Sequence, residues 1–350
     1  HVHTSNSFDA YLLGNTVSPS DGYRYAKGEL VTNSMGVRMQ LREPLDFYAV
    51  TDHGLFMGVV DEWADPTSRL GGLSGTQPFH NINEGDNLDS YSAQKRTVLF
   101  RESFGRLAAQ QTGFLGKIKA FFTGNVLDAT AGYDNEAHLS AWREAIEAAE
   151  QHNEPGSFTA FIGYEWTPAP TGDNLHRVVI FKDDAKKAQE IIPFSALDSD
   201  KPEELWKFLE NYNKKTGGEA ISVSHNSNIS GGRMFPLKNS YGEAIDRAYA
   251  DMRNRWEPLV EATQVKGDSE THPAVSPDDP FADYETWEGN IGRNETDRLE
   301  RLSNTGECAN SENYKCYRYK KSETDRYKGS YVRPALRRGL EIQNKIGVNP

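Results

Sequence analysis

The sequence lacks long apolar runs and an excess of positive charge. No stretch of about 18 or more apolar residues occurs, which excludes a transmembrane helix. The formal net charge is -12 over 350 residues, so the chain has no excess of basic side chains to face the phosphates of a nucleic acid. A small anionic substrate is still compatible, because bound divalent ions can reverse the sign of a local site. We therefore expect no nucleic acid and no membrane as partners.

Cysteine is also scarce, with only Cys308 and Cys316 present. Their spacing suits a disulfide that closes a small loop, which would indicate an oxidising compartment, but two free thiols fit the spacing equally well. The chain begins at His1 without a methionine, so we expect that either an export signal has been removed or the chain has been trimmed. A periplasmic or extracellular location is expected, and a cytoplasmic one stays open.

What the sequence does contain is a series of short apolar segments alternating with helical patterns. The predicted strands lie within residues 45–54, 158–168, 176–183, 219–228 and 257–268, and the predicted helices within 136–152, 202–215 and 241–255. Strands that alternate with helices indicate parallel βα units. We predict one α/β domain over residues 1–350, interrupted by an insertion at 56–135, with a helix near 90–111, and by a polar insertion at 274–330 that holds both cysteines.

Ionisable side chains cluster at the predicted strand boundaries, where sites form in folds of this type. Five histidines and two carboxylates share this placement: His1, His3, His53, His176, His225, Asp52 and Glu165. Burying so many polar rings requires partners, and divalent metals bind imidazole and carboxylate together. His1 and His3 flank one valine, so an extended backbone would turn both rings to the same side. His80, His138 and His152 lie in a loop or on predicted helix faces, and for them we expect solvated or structural roles.

In this order, the motifs HVHTSNSFD, TDHG, GYEWT, NLHR and SHN resemble the polymerase-and-histidinol-phosphatase (PHP) superfamily of metallohydrolases. More narrowly, the stretches FDAY, PLDFYAVTDH, FIGYEWT, NLHRVVIF and QVKGDSETHP look like a bacterial branch known as domain of unknown function 3604. The resemblance covers residues 1–283 and resumes at 331–341.

The resemblance implies a distorted (β/α)7-type, TIM-like barrel with long insertions and a site at the carboxyl ends of its strands. It implies two or three divalent ions, of zinc, manganese or iron, held by His1, His3, Asp9, His53, Glu165, His176 and His225. Asp52 would support His53 from behind, and with Glu165 would assist a metal-bridged hydroxide. The superfamily closes its site with an Asp-x-His pair that this sequence lacks. We expect a piece of a longer protein, incomplete at both ends, and an incomplete site stays open as the alternative.

The function expected from the resemblance is metal-dependent hydrolysis of a phosphoester in a small, anionic substrate. Cations and polar groups near the expected ligands are candidates for binding it, namely Arg177, Asn226, Arg233, Lys266 and His272. Hydrolysis of an amide, a lactone or a sulfate ester stays open, as does a non-catalytic binding module stabilised by metal. The oligomeric state is not indicated by the sequence.

Overall fold

The computed structural model describes residues 1–73, 75–87, 93–103, 134–273, 275–284 and 325–350. The helices are α1 (Phe8–Leu12), α2 (Pro19–Ala26), α3 (Val59–Ala64), α4 (Ala93–Ser103), α5 (Asn135–His152), α6 (Ala185–Ala188), α7 (Pro202–Thr216), α8 (Arg247–Trp256) and α9 (Val332–Ile346). The strands are β1 (Val31–Thr32), β2 (Arg38–Met39), β3 (Phe47–Val50), β4 (Thr159–Trp166), β5 (Arg177–Phe181), β6 (Ala220–Ser224), β7 (Leu259–Val260), β8 (Thr263–Gln264) and β9 (Gly267–Asp268).

The main sheet has five strands in the order β3-β4-β5-β6-β7, and the β3–β4 and β6–β7 pairs are parallel. The short strands β1 and β2 pair with each other antiparallel, as do β8 and β9. The α/β class is therefore confirmed. Over the described ranges the main sheet stops at five strands, so the complete barrel stays a prediction.

Two predicted elements differ in detail from the structure. The helix expected over 241–255 begins only at Arg247, because Asp246 accepts the N–H of Tyr249 and so caps the helix there. The strand expected within 257–268 is divided into β7, β8 and β9 by a tight antiparallel hairpin. Of the helix expected near 90–111, residues 93–103 form α4, and its other residues lie outside the described ranges. The remaining predicted strands and helices lie where the apolar pattern places them.

The chain divides into two compact units, of which the first comprises His1–Gly172, Val178–Asp200 and Lys207–Ile221. In this unit α5 begins at Asn135 because the Asp134 side chain accepts the N–H groups of Glu136 and Ala137. Its apolar face buries Trp142 against the rings of Tyr164 in β4 and Phe181 in β5. The face of α5 therefore packs on β4, the strand that carries Glu165, and on β5.

A second apolar cluster in the first unit supports α1. It contains Leu12 of α1, Val59 and Trp63 of α3, and Phe79, all of them buried. The buried Arg96 of α4 donates hydrogen bonds to the carbonyl oxygens of Leu12 and Ile82, at 2.9 and 2.7 Å, and to Asn83 Oδ1 at 2.8 Å. These bonds attach part of the predicted insertion 56–135 to the end of the helix that carries Asp9.

The second unit comprises Asp173–Arg177, Lys201–Trp206 and Ser222–Pro350. Its helix α8 packs the ring of Tyr249 against Trp206, with ring centroids 5.2 Å apart. Helix α9 ends at Gly347, whose φ of 82° is a left-handed conformation that glycine adopts readily. The interpretation of Cys308 and Cys316 lies outside the described residues. No helix in the described part of the chain is long and apolar enough to cross a membrane.

Candidate metal centre

His1 and His3 are placed by a short extension of the main sheet. Val2, between them, forms a parallel bridge with Val50, and its carbonyl accepts the Thr51 N–H at 3.0 Å. The flanking rings therefore turn to one side, as the extended backbone predicts. Their Nε2 atoms lie 3.5 and 3.2 Å from the same carboxylate oxygen, Glu165 Oε2.

His53 and Glu165 face each other because the parallel register of β3 and β4 continues past the last residue of β3. The two residues form a bridge, with the Glu165 N–H donating to the Asp52 carbonyl at 2.8 Å. His53 Nδ1 lies 3.3 Å from Glu165 Oε1, and the His53 ring stacks on that of His3 at 4.1 Å. Glu165 is fully buried, so its charge requires a cation close by.

Asp9 approaches the cluster from α1. Its Oδ1 lies 3.3 Å from His53 Nε2 and also accepts the N–H of Ala10 at 2.8 Å. The Asp9 side chain is 32% exposed, whereas the side chain of Glu165 is fully buried. The cluster is thus deepest at Glu165 and reaches solvent at Asp9.

In each of the three histidines of this cluster, His1, His3 and His53, the Nδ1 atom contacts a hydroxyl group. His1 Nδ1 lies 2.6 Å from Thr51 Oγ1, and His3 Nδ1 lies 2.9 Å from Ser7 Oγ. His53 Nδ1 lies 2.6 Å from Thr167 Oγ1. In all three rings Nδ1 therefore faces a hydroxyl, and Nε2 faces a carboxylate.

The hydrogen bonds of Ser7 determine which nitrogen of His3 carries the proton. The Ser7 hydroxyl donates to Asp52 Oδ1 at 2.6 Å and accepts the backbone N–H of His53 at 3.0 Å. Because its single proton is already given to Asp52, Ser7 must accept from His3 Nδ1–H. The neutral ring then presents an Nε2 lone pair toward Glu165, which is the tautomer that a metal ligand requires.

Thr167 acts on His53 in the same way. Its hydroxyl donates to Glu165, with Oε1 at 3.1 Å, and so accepts from His53 Nδ1–H. The Nε2 lone pair of a neutral His53 then faces the Asp9 carboxylate, and two acceptors at this distance are stable only with a cation or a proton between them. The chemistry of this donor set therefore fits a divalent ion held by imidazole and carboxylate groups.

The pKa of His53 also indicates that the two carboxylates of this cluster need a positive charge beside them. Burial disfavours the imidazolium, but the Asp9 and Glu165 carboxylates outweigh burial and raise the pKa of His53 to about 10. A proton at Nε2 thus balances the carboxylates when no metal does. A divalent ion would compete with that proton for the same nitrogen.

Asp52 lies behind the cluster and is buried. It accepts hydrogen bonds from the Thr4 N–H at 2.6 Å, the Thr4 hydroxyl at 2.5 Å and the Ser7 hydroxyl. Its carboxylate therefore orients the segment between His3 and α1 from behind. The supporting role expected for Asp52 stays a prediction.

His176 and His225 lie together in the second unit. Both are buried, their ring centroids are 5.7 Å apart, and the His225 N–H donates to the His176 carbonyl at 3.4 Å. The adjacent Asn226 is buried in a left-handed conformation with φ of 41°, and its Oδ1 accepts from Asn174 Nδ2 at 3.4 Å. Its Nδ2 has no hydrogen-bond partner among the residues that the structure describes.

The other residues expected to bind substrate have varied surroundings in the second unit. Arg177 is buried, with Nε 3.0 Å from Glu257 Oε2 and Nη1 2.6 Å from the Leu175 carbonyl. Arg233 Nε lies 2.8 Å from Asp173 Oδ2. His272 is buried, and burial lowers its pKa to about 4. Lys266 lies in the β8–β9 turn. Their roles in substrate binding stay predictions.

The sequence profile described as "Protein of unknown function (DUF3604)" matches residues 1–350. The chain belongs to this family. No curated protein and no solved structure matches it. The family assignment agrees with the narrower of the two resemblances seen in the sequence, and its description carries no function.

Four hydroxyl residues of the centre were not predicted: Thr4, Ser7, Thr51 and Thr167. Each stands within four residues of an expected ligand or of Asp52 along the sequence, which is the only signal that could have found them. Serine and threonine are common, and nothing in the letters reveals which hydroxyl contacts an imidazole. Their positions become meaningful only once the strand register is known.

Proposed function

We propose that this member of the family is a divalent-metal-dependent hydrolase that acts on a phosphoester in a small, anionic substrate. The observation that carries the proposal is the shared orientation of His1, His3 and His53. Each ring directs Nδ1 to a hydroxyl and Nε2 to a carboxylate. That arrangement is typical of histidines that bind a metal and whose outer nitrogen is held by a neighbouring group.

The residues that would hold the metal are those three histidines together with Asp9 and Glu165. His176 and His225 are further ligands in this proposal, on the strength of their sequence motifs. Divalent ions in such a set, whether zinc, manganese or iron, lower the pKa of bound water and stabilise charge on a phosphoryl oxygen. We further propose that the five-stranded sheet is part of the distorted barrel expected from the PHP resemblance.

The chain's own residues supply orientation and charge. Glu165, in contact with all three rings of the cluster, fixes the spacing of the ligands at the ends of β3 and β4. Asp9, the most exposed of the carboxylates, lies where substrate would arrive. Ser7 and Thr167 accept the Nδ1 protons of His3 and His53, which leaves Nε2 of each ring to bind the metal, and the two stacked rings limit rotation of each other.

We propose a phosphoester rather than another bond because the sequence motifs resemble those of the PHP superfamily. The test is hydrolysis of an aryl phosphate by the purified chain with added manganese or zinc, beside aryl sulfate, lactone and amide substrates. Metal-dependent release from the phosphate, lost in Glu165→Gln, supports the proposal. Turnover of another substrate alone would reassign the bond. Metal bound without turnover of any substrate would replace the hydrolase by a binding module. The expected export stays a prediction.

A further inference from the structure

A cavity of about 180 Å³ lies beside α9 and β7, and all of its lining residues belong to the second unit. Phe235 and the β7 residue Leu259 contribute to its walls. One face of α9 forms much of the remaining wall, with residues that recur at helical spacing: Val332, Ala335, Leu336, Gly339 and Ile342. Leu336 and Leu259 are 61% and 58% exposed, so much of this apolar lining is left uncovered by the described residues.

The lining of this cavity also carries three charged side chains, and one of them has no counter-charge. Arg253 and Glu257 form an ion pair, with Nη2 3.0 Å from Oε1. Within the part of the chain that the structure describes, no carboxylate forms an ion pair with Arg338, the third charged side chain. The cavity wall therefore carries one guanidinium group that a negatively charged ligand could neutralise.

The guanidinium group of Arg338 is held in place by the backbone. Its Nη1 donates to the Phe235 carbonyl at 3.3 Å, and its Nη2 donates to the Asp325 carbonyl. A Cβ built on Gly329 would lie 3.0 Å from Nη1 and 2.8 Å from the Phe235 carbonyl oxygen, so glycine allows this close packing. The two hydrogen bonds use two of the five N–H groups of the guanidinium, which leaves donors for a ligand.

Burial makes the charge of Arg338 costly. It lowers the pKa of Arg338 below the usual value, although Asp325 and Glu341 lie close enough to raise it. The Asp325 carboxylate is itself paired with Lys328, with Oδ1 3.0 Å from Nζ. An anion bound at Arg338 would offset the cost of removing this guanidinium from water.

The size and the chemistry of the walls define the ligand. An apolar cavity of about 150 Å³ can hold one benzene molecule, so this slightly larger cavity fits one ring that carries one further group. A planar carboxylate matches the fork of a guanidinium, and a monoanion matches a single charge. A phosphate dianion would bring a second charge against apolar walls.

We propose that this cavity binds a small monocarboxylate with an apolar body, of about the size of benzoate, whose carboxylate pairs with Arg338. The apolar face of α9 would contact the body of the ligand. The site contains none of the candidate metal ligands, and it does not depend on the proposed function.

The test compares two probes of the same shape, benzoate and the uncharged benzamide, in saturation-transfer NMR titrations of the full chain. Chelator in the buffer keeps benzoate from binding through a metal. Wild type should bind benzoate with a dissociation constant of about 1 mM or tighter, and benzamide about fivefold to tenfold more weakly, because only the carboxylate accepts charge-assisted hydrogen bonds. No benzoate binding by wild type, or equal affinity for the two probes, would overturn the proposal.

Arg338→Gln should lower the affinity for benzoate to that for benzamide and leave the affinity for benzamide unchanged. Retained benzamide binding would show that the cavity of the variant is intact. Arg337→Gln is the matched control, since this neighbouring arginine of α9 also pairs with no carboxylate among the described residues but does not line the cavity. The control should bind both probes as wild type does. Equal losses of benzoate affinity in the two variants would overturn the role of Arg338.

Ala335→Phe tests where the probes bind. The added ring should fill the cavity and abolish binding of both probes, with circular dichroism to confirm the fold. Unchanged benzoate binding in a folded variant would show that the probe binds elsewhere. Sedimentation velocity tests a different occupant, because wild-type dimers that Ala335→Phe dissociates would assign the cavity to a second copy of the chain and overturn the proposal. Arg338→Gln decides the matter if Ala335→Phe does not fold.

Discussion

His3 Nδ1 lies 2.9 Å from the hydroxyl oxygen of Ser7, whose own proton is given to Asp52. This contact fixes the neutral tautomer of His3 and directs its Nε2 lone pair to Glu165. Since Ser7 also accepts the backbone N–H of His53, one hydroxyl positions two of the candidate ligands. The centre therefore depends on residues that would never touch the metal.

Replacing Ser7 by alanine should lower metal affinity about 10- to 100-fold, because the outer nitrogen of His3 and the N–H of His53 lose their acceptor. Competition with a chromophoric chelator measures this affinity for zinc or manganese. Ser20→Ala is the matched control, since the Ser20 hydroxyl also contacts a histidine, His152 Nε2, at 2.8 Å but outside the centre. Equal affinities in the two variants would show that Ser7 does not orient a ligand.

Metal affinity should rise with pH up to about 10. The proton at His53 must leave before a metal binds Nε2, and the neighbouring carboxylates hold its pKa near that value. Calorimetric titrations between pH 6 and 9 should therefore show proton release and increasing affinity, up to about tenfold per pH unit. His53→Gln should bind metal weakly and with a flatter pH dependence. A wild-type affinity that does not change with pH would contradict this role of His53.

Without metal, the His53 imidazole should make the protein less stable as pH rises into the alkaline range. The pKa of His53 in the folded state is raised above its unfolded value of about 6.5. Its contribution to the free energy of unfolding is therefore complete below pH 6.5 and is lost as pH rises toward 10. Urea unfolding in chelator should show a decreasing free energy of unfolding over this window. The decrease should be smaller in His53→Gln. Identical pH slopes for wild type and variant would rule out this linkage.

His138 should make the protein less stable as pH falls, which is the opposite pH dependence. Burial in α5 lowers its pKa to about 4, so the folded state binds fewer protons there than the unfolded chain. Its contribution to stability is present above about pH 6.5 and lost as pH falls through 4, a change of about 3 kcal/mol at most. His138→Gln should be less sensitive to pH in this window, as measured by denaturant midpoints from pH 7 to pH 4. An unchanged sensitivity would show that His138 is not held neutral.

The buried ion pairs that Glu257 forms with two arginines should contribute to the free energy of unfolding. Its carboxylate lies 3.0 Å from both Arg177 and Arg253, and these guanidinium groups hold the pKa of Glu257 below its usual value despite burial. Glu257→Gln leaves two buried arginines with a neutral partner and should cost about 3 to 5 kcal/mol in the free energy of unfolding. Glu219→Gln, which breaks the exposed pair with Lys182, should leave stability within error. A similar small loss in both would show that the Glu257 pairs contribute little.

The sequence predicts where the strands of the centre end, because the apolar runs stop close to the candidate ligands. His53 and Glu165 follow from that pattern and from the parallel register of β3 and β4. Long-range pairing does not follow, since Arg177 and Glu257 are far apart in sequence and either could face solvent. The direction of hydrogen bonds at Ser7 is equally hidden, because it depends on the partners of one hydroxyl in three dimensions.

The most direct test of the central claim is a calorimetric titration of the metal-depleted chain with manganese or zinc, in wild type and in Glu165→Gln. Glu165 contacts His1, His3 and His53, so its neutralisation should abolish binding at this cluster. Glu154→Gln, which alters an exposed carboxylate paired with Lys27, is the control and should bind as wild type. The account predicts at least one tight site in wild type that Glu165→Gln lacks. Equal binding by all three proteins, or no binding by wild type, would contradict it.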